Sequence, residues 1–138
     1  MKIVPRVRVE APVNPTESVA KVKVACLNVF PDLALAEEGD RLVGEGADLE
    51  GFRELVRNQR IRDTARNVLI RGRRGGVLQF RLNKQAAYVG RVNFGAAGAP
   101  LGDIQVTIED EDLDALIDRV AASTVGHQLT SRDRTGGT

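Results

Sequence analysis

Tryptophan is absent, and the 138 residues include one cysteine, one histidine, one tyrosine and four phenylalanines. Each shortage excludes something. Cys26 has no second cysteine to pair with, so a reducing compartment, the cytoplasm, is the expected location. One Cys and one His (His127) cannot furnish the ligands of an ordinary zinc site. So few aromatic rings give no platform on which unpaired bases could stack. No apolar run approaches the ~18–20 residues that a membrane span needs, so no membrane partner is expected. Residues 1–6 (MKIVPR) lack the apolar stretch of a secretory signal. The phosphate loop G-x-x-x-x-G-K-[ST], the nucleophile elbow G-x-S-x-G and the zinc helix H-E-x-x-H are all missing. His127 stands in a polar C-terminal stretch, a poor home for a general base. No catalytic residue, no metal and no cofactor is therefore expected.

What the chain does have is globular. Hydrophobic residues make up 42% and charged residues 28%. The length suits one domain, expected over residues 1–125, with residues 126–138 a disordered polar tail. Residues 2–10 alternate Ile3, Val7 and Val9 against Lys2, Arg6, Arg8 and Glu10, which predicts a strand with one wet face. Asn14-Pro15-Thr16-Glu17 predicts a helix start, with Asn14 as cap and Glu17 reaching back to it. Val19, Val22, Cys26, Val29 and Phe30 follow at helical spacing until Pro31. Residues 33–37 and 41–47 predict a hairpin turned at Gly39-Asp40.

After Asp48 the pattern predicts two helices, or one kinked near Asn58-Gln59, ended by Gly72 as C-cap. Leu78, Phe80 and Leu82 predict a strand, Tyr88, Gly90, Val92 and Phe94 a second, and Ile104, Val106 and Ile108 a third. Acids from Asp110 open a last helix burying Leu113, Leu116, Ile117 and Val120. The expected core includes Val22, Cys26, Phe30, Phe52, Leu55, Leu78, Phe80, Val106 and Leu116. This order predicts an α+β fold: a mainly antiparallel sheet with helices packed on one face.

The net charge of +1 conceals a division. Residues 53–91 hold eleven Arg or Lys against Glu54 and Asp63, a balance of +9, and the rest of the chain carries −8. Such a split points to an anionic partner, or to a basic segment that simply packs beside an acidic one. Within it, Gly72-Arg73-Arg74-Gly75-Gly76 could cradle a phosphate or be a plain loop. The strand phase puts Gln79, Arg81, Arg91 and Asn93 on the face away from the helices, with Arg6 and Arg8 beside them. Arginine forks suit phosphate and amides suit sugars and bases, whereas a merely solvated face or a subunit contact would use the same side chains. Acids at 109–112 read as helix caps in preference to a metal site.

Three stretches carry a family resemblance: residues 27–32 (LNVFPD), 52–55 (FREL) with 59–66 (QRIRDTAR), and 82–94 (LNKQAAYVGRVNF). They resemble a group of small uncharacterised archaeal proteins classed as predicted RNA-binding proteins, over about residues 2–124. The resemblance implies a fold like that of the large-subunit ribosomal protein that binds 5S rRNA, and it implies homodimers. It brings no catalytic residues. The insert at residues 96–99 and the polar tail depart from the family pattern. The expectation is thus RNA binding through phosphate contacts at Arg60, Arg62, Arg66, Arg73, Arg74, Arg81, Lys84, Arg91 and Asn93. The alternative is a dimeric protein-interaction module that docks on an acidic partner.

Overall fold

A computed structural model describes residues 5–95 and 102–122. The insert at 96–99, the tail from residue 126 and His127 lie outside the described residues. Six antiparallel strands form one sheet: β1 (Arg6–Pro12), β2 (Ala34–Glu38), β3 (Arg41–Gly46), β4 (Arg73–Arg74), β5 (Val77–Leu82) and β6 (Ile104–Glu109). Their spatial order is β2-β3-β1-β6-β5-β4. Five helices lie against it: α1 (Val19–Val29), α2 (Glu50–Asn58), α3 (Arg62–Arg71), α4 (Lys84–Tyr88) and α5 (Leu113–Val120). The α+β class and the single domain are as the sequence predicts.

Strand alternation sets the layers. Val7, Val9 and Ala11 on β1, Ile104, Val106 and Ile108 on β6, and Leu78, Phe80 and Leu82 on β5 are all buried. The register stacks them in rows across the sheet, with Val9 opposite Val106 and Val106 opposite Phe80. The helices cover these rows with Val22, Cys26, Val29, Phe52, Leu69, Leu116 and Ile117. Every residue of the expected core is enclosed except Leu55, which is only partly buried against it. All four phenylalanines of the chain meet here. Phe52 of α2 lies 5.7 Å from the Phe30 ring, 5.4 Å from Phe80 and 6.4 Å from Phe94.

Both hairpins turn on glycine. Gly39 (φ 64) and Gly75 (φ 59) take the first central position of two-residue turns, where the backbone must be left-handed. The second of these settles the Arg73-Arg74 loop: it is a tight β4–β5 hairpin, not a slack connection.

Two elements differ from the sequence reading. The first helix starts at Val19 with the Ser18 hydroxyl as its cap, four residues after the expected Asn14–Pro15 start. Asn14 and Glu17 close a turn instead, in which the Glu17 carboxylate accepts from the Asn14 backbone N–H at 3.0 Å. That carboxylate is drawn inward because it also binds the Lys84 ammonium at 2.8 Å. The second difference is at residues 88–94, where no strand forms. Asn83 caps a short helix, its side-chain oxygen accepting from Ala86 N–H at 2.8 Å. Gly90 (φ 77) then reverses the chain. Val92 is buried and Phe94 packs against the core, but one bridge from Leu82 to Phe94 is all the sheet pairing that remains. The apparent period of two failed because Tyr88 and Gly90, half of its inward set, are not buried.

Two outcomes test these contacts. Phe52→Ala removes the centre of the ring cluster and is expected to cost about 3–5 kcal/mol in urea unfolding, since Phe52 is fully enclosed. Glu17 gives a pH signature. Its burial raises the carboxyl pKa, but bonds from Lys84 and Asn14 outweigh that and hold it below its ordinary value. The unfolded chain then binds the proton more readily than the folded one. The stabilisation is present above the unfolded value of about 4.3 and fades as pH falls through the lower folded value. The stability gap between the unmodified protein and Glu17→Gln should be widest at pH 7 and close as the solution is acidified below pH 4.

Candidate nucleic-acid interface

The basic segment divides into three groups once folded. In the first, arginines are consumed by the protein's own acids. Arg66 on α3 reaches Asp118 at 2.7 Å and also donates to the Ala121 carbonyl at 3.1 Å. Arg73 reaches Asp114 at 2.6 Å, and Arg53 reaches Glu50 at 3.0 Å and the Arg119 carbonyl at 3.0 Å. Helix α5 is held by its buried Leu113, Leu116, Ile117 and Val120, so it lays its acidic side along α3 and β4. This is the packing of a basic segment beside an acidic one that the charge pattern left open.

Lys84 forms the second group alone. It is buried, with its ammonium on Glu17 at 2.8 Å and on the Pro12 carbonyl at 2.7 Å. It ties α4 to the end of β1 and does not reach the surface, which corrects its expected role as a phosphate contact.

The third group carries free charge. Arg57, Arg60, Arg62, Arg71, Arg74, Arg81 and Arg91 make no ion pair with any described residue. Their placement follows from β5. Its outer edge is lined by β4 at one end and by residues 93–95 at the other, through Asn83 N–H to Asn93 O at 2.8 Å and Gly95 N–H to Arg81 O at 3.1 Å. Because Val92 is buried and Phe94 packs on the core, Arg91 and Asn93 turn outward. Arg74, Gln79, Arg81, Asn93 and Arg91 therefore follow one rim of the sheet. Gln59 fixes the end of that rim: its amide donates to Val92 O at 3.0 Å and accepts from Val92 N–H at 2.7 Å. This clamp fastens the segment that carries Arg91 and Asn93 to the end of α2, one residue before the α2–α3 turn at Arg60.

The remaining uncovered face is not basic. Arg6 pairs with Glu45 at 3.4 Å and Glu109 at 4.0 Å, and Glu10 takes both Arg8 at 3.2 Å and Arg41 at 2.7 Å. The expected outward position of Arg6 and Arg8 is observed, but their charge is matched by neighbours. On this face, the described arginines without an ion pair, Arg74 and Arg81, lie on the β4–β5 side. Arg57 and Arg71 were absent from the expected site residues, since helical spacing alone does not separate a paired arginine from an unpaired one.

Chemically reactive groups are few. Burial pushes the Cys26 thiol up to about 11, against the opposing charge of Lys84, so it stays protonated and unreactive near neutral pH. Asp110 and Asp112 cap backbone N–H groups at the start of α5, at 2.9 and 3.1 Å. Among the described residues no group of three or more acids, histidines or cysteines could hold a metal ion, and no helix is long and apolar enough to cross a membrane.

Comparison with known proteins places this geometry among relatives. A family model described as RNA binding matches residues 6–109. A UPF0201 protein of Methanothermobacter thermautotrophicus is 44% identical over 119 residues, covering 84% of this chain and 90% of that protein. A UPF0200/UPF0201 protein of Archaeoglobus fulgidus is 44% identical over 103 residues, which are 73% of this chain but 32% of that longer protein. The crystal structure of a UPF0201 protein from Methanococcus jannaschii superposes with a TM-score of 0.80 at 39% identity, covering 86% of this chain and 94% of that one. The crystal structure of an uncharacterised UPF0201 protein gives 0.82 at 36% identity, with the same coverage.

Proposed function

Because the chain belongs to the archaeal UPF0201 family, whose family model bears the description RNA binding, we propose that it binds RNA through the arginine rim of β4, β5 and the α2–α3 turn. The observation that carries this reading is the sorting of the arginines. Those facing α5 are neutralised at 2.6–2.7 Å, whereas Arg60, Arg74, Arg81 and Arg91 stand exposed without an acidic partner among the described residues, Arg74 donating only to the carbonyls of Arg71 and Arg73. Guanidinium forks at the surface fit phosphate oxygens, and Gln79 and Asn93 between them fit sugar edges. Recognition is of backbone and shape. The four phenylalanines are taken up by the core cluster and so are withheld from base stacking. The activity is binding without catalysis, and its setting is the cytoplasm. The kinship with the 5S-rRNA-binding ribosomal protein belongs to the same proposal.

A second reading concerns self-association. Of the five exposed large hydrophobic side chains among the described residues, Val24, Leu27, Tyr88 and Val89 belong to α1 and the end of α4. Asn28 holds the two helices together by donating to the carbonyls of Ala87 and Tyr88 at 2.9 and 3.0 Å. An apolar patch shared by two elements suits a two-fold contact between identical chains. It lies on helices and leaves the β5 rim open, so a homodimer would present two rims.

Two measurements follow. Neutralising phosphates releases counterions, so affinity for RNA should fall steeply between 50 and 200 mM salt, with a slope near −0.9 per duplex phosphate contacted. Arg81→Ala with Arg91→Ala should flatten that slope by roughly two units, whereas Arg66→Ala should leave it nearly unchanged. An unmodified protein that binds no RNA tighter than about 100 μM at 50 mM salt ends the RNA reading. Sedimentation should show a dimer at micromolar concentration that Val24→Asp with Val89→Asp converts to monomer; a monomeric unmodified protein removes the dimer.

A further inference from the structure

We propose that the turn between α2 and α3 is a built phosphate anchor in which Arg60 grips one backbone phosphate of bound RNA, an inference that rests on the RNA-binding reading above. Helix α2 closes with two overlapping bonds: Arg60 N–H to Arg57 O and Ile61 N–H to Val56 O, both at 3.1 Å. This is the Schellman ending, and it requires a left-handed residue just past the cap, a slot that glycine ordinarily fills. Here the slot holds Arg60, with φ 59, the one non-glycine residue of positive φ among those described. A side chain strains that conformation. The Arg60 side chain makes no hydrogen bond or ion pair with any described residue to offset the strain. Its use therefore lies outside the chain.

The surroundings agree. Arg62 sits in the first turn of α3, the end where the helix dipole disfavours a cation. Arg57 projects from the last turn of α2. The Gln59 clamp on Val92 brings in Arg91 from a distant part of the chain and gives it a fixed backbone. Three arginines thus stand at the turn and a fourth adjoins the residue clamped to it, with Glu54 and Asp63 the acids nearest in sequence. Two of the four stand where folding alone would prefer another residue. A guanidinium offers a planar fork of donors, which a phosphodiester accepts in two bonds. The strain also limits the side chain's freedom at its root, so less ordering remains to be done on binding.

The test compares thermal unfolding with affinity for a dye-labelled 20-base-pair RNA duplex between 50 and 200 mM salt. Arg60→Gly should unfold a few degrees higher than the unmodified protein, because glycine relieves the left-handed position. The same variant should bind about tenfold more weakly at 50 mM salt, with a salt slope roughly one unit flatter. Arg60→Ala keeps the strain, so it should lose the same affinity without the gain in melting temperature. Arg60→Gly that binds with unchanged affinity and slope overturns the anchor and leaves RNA binding standing. Arg60→Gly that melts lower overturns it too, since the side chain would then be serving the fold. An unmodified protein that does not bind the duplex removes the anchor together with the reading beneath it.

Discussion

The packing of phenylalanine rings around Phe52 is the contact on which the rest of the molecule depends, because it joins pieces that no backbone ladder connects. Phe30 comes from the end of α1, Phe52 from α2, Phe80 from β5 and Phe94 from a stretch with a single β-bridge. Hydrogen bonding within the sheet would hold β5 without help. To residues 91–95 it contributes only the two bonds around the Leu82–Phe94 bridge, so their place rests also on Phe94 in the cluster, Val92 in the core and the Gln59 clamp. The outward direction of Arg91 and Asn93 is a by-product of that inward anchoring. Interior packing and exterior charge are one arrangement seen from two sides.

Charge separation in the chain is real, and part of it is spent internally. The acids of α5 meet Arg66 and Arg73, and those of β1, β3 and β6 meet Arg6, Arg8 and Arg41. These are largely exposed pairs, each worth at most about 1 kcal/mol. Their greater effect is to subtract. They neutralise Arg66 and Arg73 where these face α5, and Arg6, Arg8 and Arg41 in the middle of the uncovered sheet, and leave arginines without an ion pair along β4, β5 and the α2–α3 turn. A broad basic segment in sequence becomes a narrow rim in space.

Periodicity made the strands β1, β5 and β6 and the helices α2, α3 and α5 legible, since burial on one side writes itself directly into residue order. The break near Gln59 was legible as a change of helical phase, and the Gly39 turn as a hairpin signal. Helix α4 was not. Its Ala86 and Ala87 fit many conformations, and the cause of its placement, Lys84 reaching Glu17 across 67 positions, leaves no local trace. The same long-range bond displaced the start of α1 and took Lys84 out of the surface. Of the expected site, the sequence supplied the arginine composition and the outward phase of Arg81, Arg91 and Asn93. Which arginines were already paired depended on where α5 docks, and no spacing along the chain encodes that.

The Gln59 clamp has a consequence for how such a surface can change. Both of its bonds end on the peptide of Val92, not on a side chain. The residues flanking that peptide, at 91 and 93, contribute nothing to the clamp but direction. Either side chain can be exchanged without breaking these bonds, whereas a change at 59 removes both at once. The clamp thus separates the support of this surface from its chemical content, so its preference for a ligand can drift one side chain at a time while the scaffold beneath stays constant.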